Sequence, residues 1–511
     1  MKSYIYLVIL ILLAVFVRLF AVFELKQNFS NDESVTYLSA TGNQVRYAEL
    51  VKPDSNYIDH LTVTNIWKNC YQPNPKFCFG KIANDLTQYD IHPPLYFWLI
   101  HVFILIFGLH LYTGLILNLL ITIFTLWALF RLSYFILNNQ LHAIMVCTFW
   151  FLSPAVVQMD LEARHYQLLA LFTILLTYSS LLIIKKEELS KKNILSVVLL
   201  SALGMLTHYY FMFIMIGVFI LFFWRFKFSI VLAKIVAAFV GGFCLFLLIF
   251  PQFIDFIKNY LLFKKGVHHV NEYQSFTDKI KTQLFASLDF GAYGHLLKYI
   301  YLVLLIVFII IVVSKLINNK KLKSFSFSNP ILAILLLFLW NVFFTVMLYL
   351  CNISPNQAVG EQYYSYIWPF IAILLVYAIR YIKVSVYITL FYLTVLFVFF
   401  IQSVKNSPYV KREILGEWYT EANKADLLVI DTYDRCLLPR TLYFIGNDKK
   451  VFVGDIKKMK EDSTFKKVVV FYLINDKKTV DHQPLSGYEL IKKEKYLKSE
   501  NHPYFMESYK K

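Results

Sequence analysis

The feature that most constrains this chain is a series of apolar runs, each about 20 residues long, that recur from residue 5 to residue 400. Each run is long enough to cross a hydrocarbon core of roughly 30 Å as a helix. The composition agrees, because 58% of the residues are hydrophobic and only 16% are charged, against about 25% charged in soluble domains. The sequence therefore predicts an all-α polytopic membrane bundle of about eleven to thirteen helices.

The basic residues between the runs predict the topology. The first run, residues 4–23, follows Lys2 and lacks a small-residue cleavage site, so we interpret it as a retained helix with a cytoplasmic amino terminus. Lysines at 185–192 mark a cytoplasmic loop, which places the long first loop and the Asp160 region outside the inner (cytoplasmic) membrane. The net charge of +17 resides in such clusters and in the tail, and we predict no nucleic-acid partner.

Two stretches of the bundle predict breaks in the helices. The residues from 194 to 224 lie between two cytoplasmic loops and must cross the membrane twice, which predicts a tight turn near residues 208–210. The apolar runs at 93–109, 112–137 and 141–157 connect two segments on the same side. Because such a connection needs an even number of crossings, one of these runs must be re-entrant, interfacial or bent.

The composition divides the chain into two predicted domains. Residues 1–403 form a transmembrane domain with extracytoplasmic loops at 24–92 and 255–295, and residues 404–511 form a soluble extracytoplasmic domain. The tail contains short β-branched segments, which predict strands of a small α/β domain. These segments are 427–431, 451–453 and 467–473. Within the first loop, residues 57–67 have near-helical apolar spacing and are predicted to lie flat at the interface.

Two cysteines in the first loop, Cys70 and Cys78, could form a disulfide if the loop is extracytoplasmic. The sequence leaves the bonded and the free states equally open.

Ionisable residues gather where the predicted outside segments meet the membrane. Charged groups at membrane depth are costly and mark functional sites. Each group alone has an ordinary explanation: a solvated loop acid, an interfacial arginine or a histidine that ends a helix. Together they predict an outward-facing pocket that holds a phosphate and deprotonates a hydroxyl. The residues concerned are Asp32, Glu33, Asp90, His92, Asp160, Glu162, Arg164, His165, Tyr166 and His208.

Four motifs in this order resemble the GT-C membrane glycosyltransferases. The most similar group includes the dolichyl-phosphate-mannose protein mannosyltransferases and the bacterial lipid A aminoarabinose transferases. The resemblance covers roughly residues 1–403, and the tail is similar in position to the extracytoplasmic domain of some members. The motifs are Asp32-Glu33, His92-Pro93-Pro94-Leu95-Tyr96, Glu162-Ala163-Arg164-His165-Tyr166 and Leu206-Thr207-His208-Tyr209.

The resemblance implies transfer of a sugar from a polyprenyl-phosphate donor to a glycan, lipid or protein acceptor outside the membrane. Asp32 corresponds to the aspartate that serves as the base, and Glu33 would orient the acceptor or the base. Arg164 offers a planar fork for phosphate oxygens, with His92 and His208 as secondary donors. Asp90 and Tyr166 complete the predicted donor site, and membrane lipid surrounds the prenyl chain.

Two positions depart from the pattern of many relatives. These relatives carry a lysine in place of His92, and an Arg-Tyr pair where this chain has Glu361-Gln362-Tyr363-Tyr364. The identity of the donor sugar therefore stays open.

The sequence requires no cofactor, although a divalent metal is possible. Asp160 and Glu162 resemble the second acidic motif of oligosaccharyltransferase catalytic subunits, where acids and a cation hold a diphosphate. A monophosphate donor needs no cation, and the histidines are too dispersed along the chain to predict as metal ligands.

Two functions of other classes remain open. A transporter or flippase of lipid-linked glycans would also combine many spans with buried charges, but it would be expected to show inverted repeats and midplane charges. A non-catalytic glycan-binding or polymer-ligation protein could use the same fold.

Overall fold

The structure is a computed structural model of the chain. It describes residues 2–20, 29–52, 54–90, 92–187, 189–263, 330–350, 361–379, 419–431, 441–459, 464–473, 485–496 and 504–511, together with a few isolated residues. Two further apolar runs of the sequence, 296–314 and 384–403, which are predicted spans, lie almost entirely outside these ranges, as does most of the loop 255–295.

The chain divides into two compact units. The helical unit comprises Met1–Leu19, Asp90–Tyr96 and Ile116–Val404, and the sheet unit comprises Phe20–Tyr89, Phe97–Leu115 and Lys405–Lys511. This division differs from the predicted one, in which the loop 24–92 belonged to the transmembrane domain and residues 404–511 stood alone. The reason is that a strand of the first loop pairs with the tail.

Helices account for most of the described chain. In chain order they are α1 (Lys2–Phe20), α2 (Asn31–Ala40), α3 (Gln44–Leu50), α4 (Thr64–Lys68), α5 (Phe79–Tyr89), α6 (Leu95–Phe107), α7 (Thr113–Leu137), α8 (Gln140–Leu152), α9 (Pro154–Asp160), α10 (Tyr166–Lys186), α11 (Lys191–Thr207), α12 (Phe211–Phe226), α13 (Ile230–Ile249), α14 (Phe253–Phe263), α15 (Pro330–Leu350) and α16 (Trp368–Ile379). Short 3₁₀ turns occupy Asn69–Tyr71, Glu361–Ile367 and Ile456–Lys458.

Four of the described helices are long and apolar enough to cross a membrane, judged by length and composition. Several shorter apolar helices accompany them, including α6, α8 and α12. These segments confirm that the chain is a membrane protein, whereas the total of about eleven to thirteen spans stays a prediction. The four long segments are Thr113–Leu137, Tyr166–Lys186, Ile230–Ile249 and Pro330–Met347.

Two breaks interrupt the helices at the places where polar groups collect. α8 ends at Leu152, and α9 begins at Pro154, whose missing N–H suits the first turn of a helix but not its interior. The predicted turn near residues 208–210 is confirmed, because α11 ends at Thr207 and α12 begins at Phe211. Both breaks lie next to the residues of the candidate site.

Close packing of α11 against α13 depends on a small residue. A Cβ atom on Gly242 of α13 would lie 2.7 Å from the Cβ atom of Ser201 and 2.8 Å from the carbonyl oxygen of Val198. Only glycine allows the two helices to approach this closely, as is common between membrane helices.

The sheet unit contains a mixed six-stranded sheet with the order β1-β3-β2-β4-β6-β5. The central strand β2 pairs in parallel with β3 and β4, and the other pairs are antiparallel. The predicted tail strands are confirmed as β2, β3 and β4. The strands are β1 (Leu61–Val63), β2 (Leu427–Asp431), β3 (Lys450–Val453), β4 (Lys467–Leu473), β5 (Glu489–Tyr496) and β6 (Tyr504–Lys510).

Both faces of the central strand are buried, as parallel strands require. Leu428 and Ile430 of β2 pack into one core with Tyr47 and Trp67 from the first loop. The alternate residues, Leu427 and Val429, pack into a second core on the opposite face. The first loop therefore supplies part of the hydrophobic core that holds the tail folded.

The interfacial helix predicted for residues 57–67 is not present in the structure. Leu61–Val63 forms β1, antiparallel to β3, and the helical turn α4 follows it. Trp67, at the end of this stretch, is buried in the core that covers the sheet. The apolar spacing thus reflects packing within the sheet unit, which single-sequence periodicity does not distinguish from insertion into an interface.

Cys70 and Cys78 are both free and buried. Cys70 packs in the core under the sheet, and burial raises the pKa of its thiol to about 11. Cys78 packs in a separate cluster with Ile82 and Phe97. The structure thus contains two structural thiols rather than a disulfide.

A glycine of the tail packs against the first loop, and its substitution tests the contact between these two segments. Gly454 has φ +137°, and a Cβ atom there would collide with Oδ1 of Asp59. This oxygen accepts a hydrogen bond from the backbone N–H of Asp455 at 2.8 Å. We expect Gly454→Ala to lower the free energy of unfolding by roughly 1–3 kcal/mol, measured by thermal unfolding in detergent.

Gly487→Ala is the matched control. Gly487 also has a positive φ, +75°, but a Cβ atom added to it would have no other atom within 4 Å. An equal loss in both variants would show that backbone strain alone, and not the contact with the first loop, limits Gly454.

Candidate functional site

Three histidine side chains from distant parts of the helical unit meet in one group, the histidine cluster. The ring centroids of His92 and His165 are 4.6 Å apart, and those of His165 and His208 are 4.8 Å apart. The rings of His92 and His208 are 5.7 Å apart. Ring nitrogens, one from each residue, lie within 4.8 Å of one another, and all three side chains are buried. These histidines are too dispersed along the chain to predict as metal ligands, but the fold brings them together.

Each member of the cluster lies at the end of a helix. His92 precedes the prolines that lead into α6, His165 directly precedes α10, and His208 directly follows α11. The chain leaves the helical conformation at these points, where backbone groups lack helical partners and polar side chains are tolerated. Three apolar helices thereby contribute polar ends to one place.

The hydrogen bonds of the three rings differ. Nδ1 of His92 lies 2.5 Å from Oδ1 of Asp90, so the carboxylate orients this ring. Nδ1 of His208 accepts a hydrogen bond from the backbone N–H of Tyr210 at 3.0 Å. Neither ring nitrogen of His165 has a hydrogen-bond partner among the residues that the structure describes, although its side chain is completely buried.

The environment keeps two of these imidazoles neutral. Burial, together with the neighbouring rings of His92 and His208, lowers the pKa of His165 well below its ordinary value. Burial likewise lowers the pKa of His208, with a contribution from His92 and from Arg164. These rings can therefore accept or donate a single hydrogen bond, or bind a metal, at neutral pH.

Tyrosines and an arginine surround the cluster. The guanidinium of Arg164 lies 5.8 Å from the ring centroid of Tyr166, and it is close enough to His165 and His208 to influence both rings. The 3₁₀ turn Glu361–Ile367 contributes Tyr363, whose ring is 6.2 Å from that of His208. The segment Glu361-Gln362-Tyr363-Tyr364, where many relatives have an Arg-Tyr pair, thus lies beside the histidine cluster through Tyr363. Other rings nearby belong to Tyr96, Tyr166 and Tyr210.

Asp160 has a structural contact that the sequence did not predict. Its Oδ2 accepts a hydrogen bond from Nε of Arg18 at 2.8 Å, and both side chains are almost fully buried. Its Oδ1 accepts from the hydroxyl of Thr122 at 2.9 Å. Arg18 also donates to the carbonyl oxygen of Phe151 at 3.0 Å. Asp160 is therefore part of a buried ion pair that joins α1 to the break between α8 and α9.

An asparagine connects this ion pair to the cluster. The amide of Asn118 donates to the carbonyl oxygens of Asp160 and Glu162. Its Oδ1 accepts a hydrogen bond from the hydroxyl of Tyr96 at 2.7 Å, and the ring of Tyr96 lies 6.4 Å from that of His165. The side chain of Glu162 itself is half-buried.

The predicted base and its neighbour belong to the sheet unit. Asp32 lies in the first turn of α2 with a half-buried side chain. Glu33 forms a capping box with Ser30, and its Oε1 accepts from Nζ of Lys26 at 2.6 Å. Because its side chain is completely buried in these contacts, Glu33 holds the beginning of α2, and its role in orienting the acceptor or the base stays a prediction.

The sheet unit also contains a cavity of about 600 Å³. Two residues of α2, Ser34 and Tyr37, lie in its wall, in the turn that follows Asp32. Lys68 and Lys76 contribute positive charge. Its aromatic lining consists of Phe29, Tyr37, Tyr47, Trp67, Tyr71 and Tyr443.

The fold thus groups six of the predicted residues: Asp90, His92, Arg164, His165, Tyr166 and His208. Sequence reasoning missed Arg18 and Lys26 as partners of buried acids. Arg18 carried a usable signal, because a charge inside an apolar run requires a buried partner. Nothing in the sequence identified that partner as Asp160.

The fold and the site define a membrane protein of many apolar helices whose polar site is built from helix ends and which also carries a small mixed sheet. Residues 91–254 match the family described as dolichyl-phosphate-mannose-protein mannosyltransferase. This segment contains all three members of the histidine cluster.

The whole chain is similar in fold to ArnT from Cupriavidus metallidurans. The apo crystal structure aligns with a TM-score of 0.52 at 10% identity, over 99% of this chain and 98% of ArnT. ArnT bound to undecaprenyl phosphate aligns with a TM-score of 0.49 at 11% identity, over 98% and 97% of the two chains. No curated protein matches by sequence. The match over residues 91–254 confirms the resemblance to the dolichyl-phosphate-mannose protein mannosyltransferases in that segment, and the likeness to the apo ArnT structure confirms a similar fold.

Proposed function

We propose that this protein is a glycosyltransferase that moves a sugar from a polyprenyl-phosphate donor to a hydroxyl group of an extracytoplasmic acceptor. The observation that carries the proposal is the group of Arg164, His92 and His208 at helix ends, inside the segment that matches a family of dolichyl-phosphate-mannose enzymes. A phosphate-linked sugar is the substrate class that this family description names.

The residues of the helical unit suit a donor phosphate. Arg164 carries five N–H donors in a planar fork that matches phosphate oxygens. His208 has its Nδ1 occupied by Tyr210, so in the neutral ring the proton resides on Nε2 and can be donated. Asp90 orients His92, and the ring of Tyr166 packs beside His165 at a centroid distance of 4.5 Å.

The chemistry requires one base and no acid. The acceptor oxygen attacks the anomeric carbon, the bond from that carbon to the phosphate oxygen breaks, and the electron pair leaves with the polyprenyl phosphate. Because phosphate is a stable leaving group, it needs cationic donors rather than protonation, unlike the ordinary glycoside in a hydrolase. The acceptor proton passes to a carboxylate, and a single displacement inverts the anomeric centre.

Asp32 is the proposed base. The assignment rests on the motif after the first helix, and the sheet unit offers two supporting features. The side chain of Asp32 is half-buried rather than committed to the core. The next turn of the same helix lines the aromatic cavity, and aromatic rings flanked by lysines suit a glycan or phosphorylated acceptor.

The proposed setting is the cytoplasmic membrane, with the site and the carboxyl-terminal sheet on the outer side. This follows from the lysine and arginine clusters between the apolar runs. A reporter fused after Lys511 is expected to be active only in an exported form, and activity of a cytoplasmic reporter would contradict the topology.

The proposal is tested with purified protein and a panel of radiolabelled polyprenyl-phosphate sugars, including dolichyl-phosphate mannose. Glycans, lipids and proteins from outside the cytoplasmic membrane serve as acceptors. The mass of the labelled product identifies the transferred sugar and the acceptor. Release of polyprenyl phosphate without a glycosylated acceptor would contradict the proposal. Movement of the donor across a vesicle membrane without sugar transfer would contradict it as well.

Arg164→Ala is expected to raise the KM for the donor by roughly 10- to 100-fold while the KM for the acceptor changes little, because a charge-assisted bidentate contact to phosphate contributes about 1.5–3 kcal/mol. Arg225→Ala is the matched control, since Arg225 of α12 pairs with the exposed Glu187. Equal effects of Arg164→Ala on both substrates would contradict a role in phosphate binding.

A further inference from the structure

A buried histidine normally has partners for its ring nitrogens. His101 of the sheet unit does so, with carbonyl oxygens 2.8 Å from Nδ1 and 2.7 Å from Nε2. His165 is equally buried, yet neither of its nitrogens has a hydrogen-bond partner among the described residues. It lies between two further imidazoles at ring distances of 4.6 and 4.8 Å. A single ligand bound between the three rings would satisfy several of these nitrogens at once.

We propose that His92, His165 and His208 form a binding site for one divalent transition-metal ion of the zinc class. This inference goes beyond the proposed sugar transfer and does not depend on it. Neutral imidazoles are suitable ligands for zinc and for its neighbours in the first transition row. Three histidines with one open position are a known arrangement of reactive zinc.

The distances allow the site to close with small movements. In a tetrahedral zinc site with bonds of about 2.0–2.1 Å, ligand nitrogens are separated by roughly 3.4 Å. The chosen nitrogens here already lie within 4.8 Å of one another. A shift of about 1 Å or less for each ring, which side-chain torsions permit, brings them to the required separation.

The three histidines differ in how readily their ring nitrogens can bind a metal. The carboxylate of Asp90 accepts from Nδ1 of His92, which leaves Nε2 with its lone pair and forms the carboxylate–histidine pair common in zinc sites. His165 has no competing hydrogen bond among the described residues. His208 is the ligand least ready to bind a metal. Its Nδ1 accepts a hydrogen bond from the backbone N–H of Tyr210, so the neutral ring carries its proton on Nε2. Nε2 can bind the metal only after it loses this proton. We therefore expect His92 and His165 to dominate the affinity.

The nearby charges indicate what occupies the open position. Asp90 contributes one negative charge, whereas Arg164 and a divalent ion contribute three positive charges. An anionic oxygen ligand neutralises this excess, and phosphate is a suitable class. The metal and Arg164 would then contact the same anion, and in this form His208 would bind the metal through Nε2 instead of donating a hydrogen bond to the anion. Inorganic phosphate alone is sufficient to test this contact.

The first experiment uses the wild-type protein, purified in detergent without a polyhistidine tag and treated with a chelator. Titration with Co²⁺ is expected to produce the visible absorption of a tetrahedral nitrogen site that saturates at one equivalent. Zn²⁺ should displace the Co²⁺ and raise the midpoint of thermal unfolding by several degrees, since a ligand that binds only the folded state stabilises it. Saturation without a tetrahedral spectrum, or no binding at micromolar metal, would overturn the site.

Variants then assign the ligands. His92→Ala and His165→Ala are expected to weaken Zn²⁺ binding by about 100-fold or more, His208→Ala by a smaller factor, and Asp90→Asn by roughly 10- to 100-fold through the orientation of His92. His60→Ala is the control, because His60 is exposed in the sheet unit, and it should leave the affinity unchanged. Unchanged affinity in His165→Ala would overturn the proposal even if the wild type binds metal.

The two proposals fail in distinguishable ways. If the wild-type protein gives the Co²⁺ spectrum but transfers no sugar, the glycosyltransferase proposal fails and the metal site stands. If the metal-free protein transfers sugar at the full rate, the metal has no part in that reaction. Absence of the tetrahedral spectrum counts only against the metal site.

Discussion

Asp32→Asn is expected to reduce sugar transfer by roughly 10²- to 10⁴-fold, because the amide has nearly the same shape as the carboxylate but cannot take the proton of the acceptor hydroxyl. The side chain is half-buried in the first turn of α2. We therefore expect the free energy of unfolding to change by about 0.5 kcal/mol or less. Initial rates of transfer from the radiolabelled donor, measured with saturating donor and acceptor, provide the test.

Two variants of neighbouring acids control this result. Glu49→Gln removes an exposed carboxylate on α3 of the same unit and should leave the rate unchanged. Glu33→Gln should instead lower stability, because it removes the charge that pairs with the buried Lys26. Transfer at the wild-type rate in Asp32→Asn would eliminate Asp32 as the base, whereas loss of rate together with loss of stability would indicate a structural role.

Arg18→Met is expected to lower the free energy of unfolding by about 3–5 kcal/mol, because the substitution leaves the buried carboxylate of Asp160 without its cation. The pair is 2.8 Å long with side-chain exposures of 2% and 1%, so water cannot replace the lost partner. The change should appear as a large decrease in the midpoint of thermal unfolding in detergent.

The matched comparison is Arg131→Met on α7, where the arginine is exposed, and there we expect a change within about 0.5 kcal/mol. The double variant Arg18→Met with Asp160→Asn should recover a large part of the loss, because no buried charge remains. If the double variant were as unstable as the sum of the single variants, the direct ion pair would not be the cause.

The ion pair changes the role expected of Asp160. This residue resembles an acidic catalytic or metal-binding motif in sequence, but its two oxygens contact Arg18 and Thr122. Its contribution to the candidate site is indirect, through the carbonyl oxygen that accepts from Asn118. Histidines, rather than the acids of this motif, are the residues that we propose to bind a metal.

Local patterns predicted three strands of the tail, β2, β3 and β4, but not β5 and β6. β2 and β4 coincide with the β-branched segments in the sequence, and the turn at His208 follows from the distance between two loops that are predicted to be cytoplasmic. Strand β1 could not be predicted in this way, because it has only three residues and its partner lies in the distant tail. Its pairing depends on long-range register, which no local periodicity encodes.

The sequence by itself determined that the chain is a membrane protein with strands in its tail, and which ionisable residues lie at the ends of its helices. These properties depend on composition, apolar length and local charge, all of which act over a few neighbouring residues. Only the tertiary structure decided which of these residues meet. It paired Asp160 with Arg18, enclosed Glu33 with Lys26 and brought His165 between His92 and His208. Contacts between distant segments arise from packing of whole helices, and a sequence read one window at a time does not contain them.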